Sequence, residues 1–248
     1  MHISLVAEKI GEIAGLPITN SMVMTLLTSV ILIILAFFAT KNIKKIPEGI
    51  QNFFEMIIEL LFDLAESVIG SREKTKKYFP LVATLFLFII INNWLGLLPG
   101  VGTIGFHQTQ HGHEVFVPLL RTGNADLNTT IALAAITIFA VQIFGIIALG
   151  FFKHSSKYIN FKNPILFVVG LLELVGEISR MISFAFRLFG NIFAGEVLLT
   201  IIAVIVPYIA PLPFFGLELF VGFIQALVFT MLALVFIRMA VEDHAEAH

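Results

Sequence analysis

Phe184-Ala-Phe-Arg-Leu-Phe-Gly-Asn-Ile-Phe-Ala-Gly-Glu196 lies inside an apolar run from Pro164 to Val206 and sets one arginine, Arg187, near its middle. A guanidinium keeps its proton at physiological pH, and at the centre of a bilayer it costs about 3 kcal/mol or more, depending on the scale. A charge kept at that cost is a functional feature by default. The run has 43 residues and no internal proline. As one helix it would reach about 64 Å, at about 1.5 Å per residue, twice a hydrocarbon core of about 30 Å. Two spans joined by an unmarked turn would carry the tail across the membrane and strand Arg238 on the wrong side. One steeply tilted helix is the better reading. At about 100° per residue, Glu173, Glu177, Arg180, Ser183, Arg187 and Asn191 share one face, with Glu196 on the opposite side. Such a polar stripe needs protein against it. The last helix, which carries Glu218 and Gln225 seven residues apart, covers part of it.

The whole chain fits a lipid setting. Of 248 residues, 58% are hydrophobic and only 13% charged, against about 25% charged in soluble domains. The absence of cysteine excludes disulfides, thiolate metal sites and cysteine nucleophiles. A net charge of −2 implies neither nucleic acid nor a strongly acidic partner. No phosphate-binding glycine loop is found, so no nucleotide is expected on this chain. The first twenty residues lack a basic start, apolar core and small-residue cleavage site, and no cleaved signal peptide is expected.

The predicted fold is all-α: a polytopic integral membrane protein of about five membrane-embedded helices plus one interfacial amphipathic helix, the last two helices forming a long, steeply tilted hairpin. One membrane domain, 1–248, is expected. It divides into an outer amino-terminal segment (1–21), a span (22–40), the interfacial helix (47–70), a span (79–98), an outer loop (99–126), a span (127–152), the long helix (164–206), the last helix (214–240) and a cytoplasmic tail (241–248). The interfacial assignment rests on Glu55, Glu59, Asp63 and Glu66, which recur at helical spacing between bulky apolar residues. Orientation follows from the basic residues. Lys41, Lys44, Lys45, Arg72, Lys74, Lys76, Lys77, Lys153, Lys157, Lys162 and Arg238 fall on one side, Lys9 and Arg121 on the other. By the positive-inside rule the amino terminus is outside and the carboxyl terminus cytoplasmic.

At these residues the sequence resembles subunit a of the F-type ATP synthase membrane sector. The matching stretches are Arg187-Leu-Phe-Gly-Asn-Ile-Phe-Ala-Gly-Glu196; Gln225-Ala-Leu-Val-Phe with Glu218 before it; Asn93 through Leu-Gly-Leu-Leu-Pro99; and Ala125-Asp-Leu-Asn-Thr-Thr130. They run in the expected order from the second span to the tail. The resemblance implies that Arg187 faces a rotating ring of c subunits. It also implies that Glu196 and Glu218 carry protons in two offset half-channels and that Gln225 neighbours the arginine. Asn191, Ser183, Glu173 and Arg180 match polar positions on the same long helix; Asn93, Asp126 and Asn128 match positions near the outer side of the channel. Implied partners are the c-subunit ring, b-type peripheral stalk subunits, the remaining synthase subunits and the lipid bilayer. The implied role is a non-catalytic proton-channel subunit, without cofactor, in a bacterial inner membrane. Two departures stand out: both carrier positions are glutamate where some relatives carry one histidine, and Met181 stands where many have proline.

Other readings compete with this one. A stand-alone secondary transporter with a buried Arg/Glu site would show an internal repeat, and none is seen between the halves. An intramembrane metalloenzyme would need ligands at fixed spacing; His107, His111 and His113 are close in sequence, but no helical pattern fixes them, and no metal site is expected. The tail His244-Ala-Glu-Ala-His248 reads as a solvated end. For Arg187 itself the plain alternative is a helix-holding ion pair with Glu173 or Glu177.

Overall fold

The structure is a computed structural model and describes residues 6–13, 15–41, 49–110, 113–158 and 164–242. Lys44, Lys45, His111, Lys162, the start of the expected interfacial helix at 47–48 and the tail histidines lie outside the described residues.

Seven helices are seen among the described residues: α1 (Asn20–Thr40), α2 (Ile50–Ile69), α3 (Arg72–Gly96), α4 (Leu127–Leu149), the short α5 (Phe151–Ser155), α6 (Pro164–Ile205) and α7 (Pro211–Val241). Five of them, α1, α3, α4, α6 and α7, are long and apolar enough to cross a membrane. The fold is mostly helical and polytopic, in line with the sequence expectation. It is not purely helical. Strands β1 (Lys9–Ile13) and β2 (Leu16–Thr19) form one antiparallel hairpin, and β3 (Gly105–Gln110) and β4 (His113–Pro118) form another. Both hairpins fall in segments that the sequence reading treated as plain outer chain.

Helix limits follow local chemistry. α3 starts at Arg72 rather than at the expected 79, so the basic cluster forms its first turns. α4 stops at Leu149 because Gly150 adopts a positive φ of 83°, which turns the chain into α5 before the expected end at residue 152. α6 runs unbroken for 42 residues, about 63 Å at about 1.5 Å per residue. α7 begins at Pro211, earlier than the expected 214, since proline is tolerated in a first helical turn.

Lipid tails are as apolar as leucine, so membrane helices associate through close packing and small residues. The core joins Leu85, Phe86 and Ile89 of α3, Phe184, Ala185 and Leu188 of α6, and Ala226, Phe229 and Ala233 of α7. Polar side chains along the spans satisfy themselves locally: Thr28, Thr137 and Thr230 each donate to the carbonyl four residues back. The short 3-10 turn Gly123–Ala125 is buried irregular backbone and is held by side chains. Gly123 N donates to Asn92 Oδ1 at 3.1 Å, and Asn124 Nδ2 to Asn93 Oδ1 at 2.7 Å. α2 covers α3 and α7 with Leu61, Ala65 and Ile69, while Glu55, Glu59 and Asp63 stay exposed.

Candidate functional site

The charges of α6 separate into two groups. Toward its amino-terminal end, Glu173 receives Lys157 Nζ at 2.9 Å, and Glu177 receives Arg180 Nη1 at 2.7 Å. Arg180 also lies over the Phe236 ring, 5.0 Å from its centroid. These carboxylates are thus paired locally, and neither pairs with Arg187. Arg187 itself is exposed, beside the exposed Ile182 and Phe186. Its guanidinium donates to Ser183 Oγ at 3.4 Å, and among the described residues no carboxylate forms an ion pair with it. The helix-holding alternative weighed from the sequence is therefore not what the structure shows. On the same face Gly190 opens onto free space, with no atom within 4 Å of where a Cβ would stand.

One turn beyond the arginine, Asn191 Nδ2 donates to Gln225 Oε1 at 2.7 Å and joins α6 to α7. The resemblance puts Gln225 beside the arginine; its hydrogen bond goes to Asn191, one turn away from Arg187. A further turn on, Gly195 is buried against α7 so closely that the Glu218 carboxylate fills the space a side chain would take. Glu218 is buried at that point.

Glu196 and Glu218, on different helices, meet at one cavity of about 230 Å³ bounded by α3, α6, α7 and the segment after β4. This is room for several waters. Asn93 also lines it and is fixed on both sides, donating to the Gly222 carbonyl at 3.0 Å and accepting from Asn124. The fourth polar member, Arg121, was read from the sequence only as an outer charge. Its Nε and Nη2 each donate to Glu196 Oε2 at 3.2 Å. Its proximity to Asn124-Ala-Asp126 was the signal available, but nothing in the spacing ties a loop residue to a helix 75 positions later.

Asp126 and Asn128 do not line this cavity. Asp126 caps α4, accepting from Asn128 N at 3.0 Å and from Ser21 Oγ of α1 at 2.7 Å.

Residues 22–238 match the family model described as ATP synthase A chain. The chain belongs to the ATP synthase A chain family. It is 37% identical over 223 residues to "ATP synthase subunit a" of Geobacter sulfurreducens, covering 88% of this chain and 86% of that protein. The protein of the same name from Gloeobacter violaceus is 35% identical over 92% of this chain and 86% of its own length. That from Campylobacter jejuni subsp. doylei is 36% identical over 85% of each chain. Membership of the ATP synthase A chain family makes this a multi-pass membrane protein and the proton-translocating subunit of the synthase membrane sector. It works as part of that complex.

At the end of the helices opposite the hairpins lies a second polar cluster. Gln142 Oε1 accepts from Tyr158 Oη at 2.9 Å and lies 2.8 Å from Nε2 of the buried His154. Burial, then Glu177, pushes the Tyr158 phenol up to about 12. Burial, then Lys157, holds His154 below its ordinary value, against the opposing pull of Glu177. At neutral pH both groups are uncharged. Among the described residues no three metal-ligating side chains come together; His111 and the side chain of His113 lie outside them.

Proposed function

We propose that Arg187 is the fixed cation past which the carboxylates of a rotating c-subunit ring move, and that Glu196 and Glu218 carry protons between the outer aqueous phase and that ring. The observation that carries this reading is an exposed arginine on α6 with no ion-pair partner among the described residues, on a helix whose other cation, Arg180, is paired. An arginine at lipid depth needs a counter-charge, and here the counter-charge belongs to another chain. The open space at Gly190 lets that chain approach closely.

The physics gives each residue a task. A ring carboxyl facing lipid is neutral because low dielectric disfavours its charge, and beside a fixed guanidinium it is ionised. Two water-accessible half-channels, open to opposite sides and offset, then make a proton enter, travel with the ring and leave. Arg187 keeps the channels apart; Ser183 steadies it, and Asn191 with Gln225 holds α7 against α6 next to it. Asn93 shapes the outer cavity, while Asp126 and Asn128 fix the helix beside it. Glu173 and Arg180 form the paired boundary on the inner side. Each proton crossing delivers about 2.3 kcal/mol per 100 mV of membrane potential. The chain is non-catalytic, binds no nucleotide and is held by b-type stalk subunits. It sits in a bacterial plasma membrane with its amino terminus outside, an orientation supported by the excess of lysine and arginine at the other end.

Co-purification tests the reading. In a mild detergent extract the chain should travel with a small two-helix protein bearing one essential carboxylate per copy. A chain that purifies alone and transports solute by itself would overturn the assignment in favour of a secondary transporter.

A further inference from the structure

We propose that Arg121 is a positioning residue for proton access, clamping the Glu196 carboxylate at the wall of the outer cavity. This rests on the stator reading above and assigns one more residue to it.

Arg121 comes from the segment after β4, outside all the spans, yet its side chain is only 6% exposed. A buried guanidinium requires partners, and each partner of this one has structural meaning. Two N–H groups converge on Glu196, whose side chain is itself 39% exposed and otherwise free to swing. Nη1 donates to the Val6 carbonyl at 3.3 Å, which ties the clamp to the chain leading into the first hairpin. The Phe193 ring, one turn before Glu196, lies 5.9 Å below the guanidinium. A planar fork held on three sides fixes both the position and the plane of the carboxylate it grips, which a lysine's point charge does not do.

The contrast with Glu218 sharpens the point. Both carboxyls border the same cavity. Glu218 is located by its helix and by the notch at Gly195. Glu196 has no such notch and is located by a cation delivered from outside the helices. Arg121 touches no transported proton; it acts through Glu196, setting the distance a proton must cover between the two carboxyls.

The test uses the assembled synthase in inverted vesicles, with passive proton flux through the membrane sector measured against source-side pH. Arg121→Gln should lower the flux about tenfold, a coupling in the middle of the range for contacting residues, and should move the proton concentration giving half-maximal flux. In a Glu196→Gln background the same change should add no further loss. Arg121→Lys, which keeps the charge without the fork, should show the shifted half-maximal concentration with a smaller loss. That variant decides the matter if Arg121→Gln fails to assemble. Wild-type flux and proton dependence in Arg121→Lys, or losses that multiply in the double variant, would overturn the assignment. An Arg187→Ala control distinguishes the two levels: if it still pumps, the stator reading itself fails, whereas an inactive control beside an unaffected Arg121→Lys removes only the clamp.

Discussion

The Glu218 carboxylate occupies the volume that a side chain on Gly195 would need, so that a Cβ at position 195 would overlap both of its oxygens. The contact fixes a carboxyl from α7 against the backbone of α6 at the edge of the cavity that Glu196 also lines. Gly195→Ala must displace it. Overpacking of this kind costs about 1 to 3 kcal/mol, and proton flux should fall severalfold with the subunit still assembled. Shortening the acid should remove the conflict: Gly195→Ala combined with Glu218→Asp should be no slower than Glu218→Asp alone. Multiplied losses in vesicle flux assays would show that the notch is irrelevant to where the carboxyl sits.

Gly190 opens onto the same face as Arg187. Within this chain a Cβ at position 190 opens onto free space, and leucine favours a helix over glycine by up to about 1 kcal/mol. The isolated subunit should therefore be as stable as the wild type or slightly more so. In the complex, the added bulk should block close approach of the rotor, and ATP-driven pumping should drop by an order of magnitude or more. Normal pumping would mean that the rotor does not run along this face.

The Asn191–Gln225 bond joins α6 and α7 one turn from Arg187. Replacing Gln225 with leucine leaves Asn191 without its partner, a loss of about 1 kcal/mol for a hydrogen bond of this type. Thermal unfolding of the detergent-solubilised subunit should show that modest destabilisation. The double change Asn191→Leu with Gln225→Leu should recover most of it, since both polar groups are then gone. A double variant as unstable as the sum of the singles would argue against a direct bond.

His154 gives the end opposite the hairpins a pH dependence. Its Nε2 faces Gln142 Oε1, and its Nδ1 is buried with no partner among the described residues. Its value lies below the ordinary 6.5, so the fold favours the neutral ring. The sign follows: the stabilisation is complete above pH 6.5 and is lost as pH falls through the lower folded value. Unfolding temperatures of wild type and His154→Gln should differ most near neutrality, and the difference should change as pH falls below 6.5. The same relative stability throughout would remove His154 from the account. Tyr158 behaves in the opposite sense, its contribution being present below pH 10 and lost only as pH rises toward about 12.

The long helix and Arg187 were legible because both follow from composition and periodicity within one segment. An unbroken apolar run sets the length of α6, and a charge inside it is conspicuous wherever it falls. That Glu196 and Glu218 matter came from the family resemblance, but their meeting at one cavity was not legible, since the two lie on separate helices. Arg121 was not legible as a partner of Glu196 because periodicity relates positions only within one element. The hairpins escaped for a different reason. His113-Glu-Val-Phe-Val-Pro118 places two polar residues before three apolar ones, so it lacks the alternation that marks a half-buried strand. The local pairing of Glu173 and Glu177 was open in the sequence, where all the charges of one stripe looked equally available to Arg187. The turn after α5 brings Lys157 to Glu173, while Arg180 takes Glu177 on the helix itself, and Arg187 is left facing outward.

The central claim concerns that arginine, and ATP-driven proton pumping in inverted membrane vesicles tests it most directly. With Arg187 changed to alanine or to lysine, the subunit should still be found in the complex by immunoblot while pumping is abolished. Lysine should fail as alanine does, because an ammonium shielded from water against the rotor is a compact charge that can lose its proton. Near-normal pumping by either variant would contradict the account.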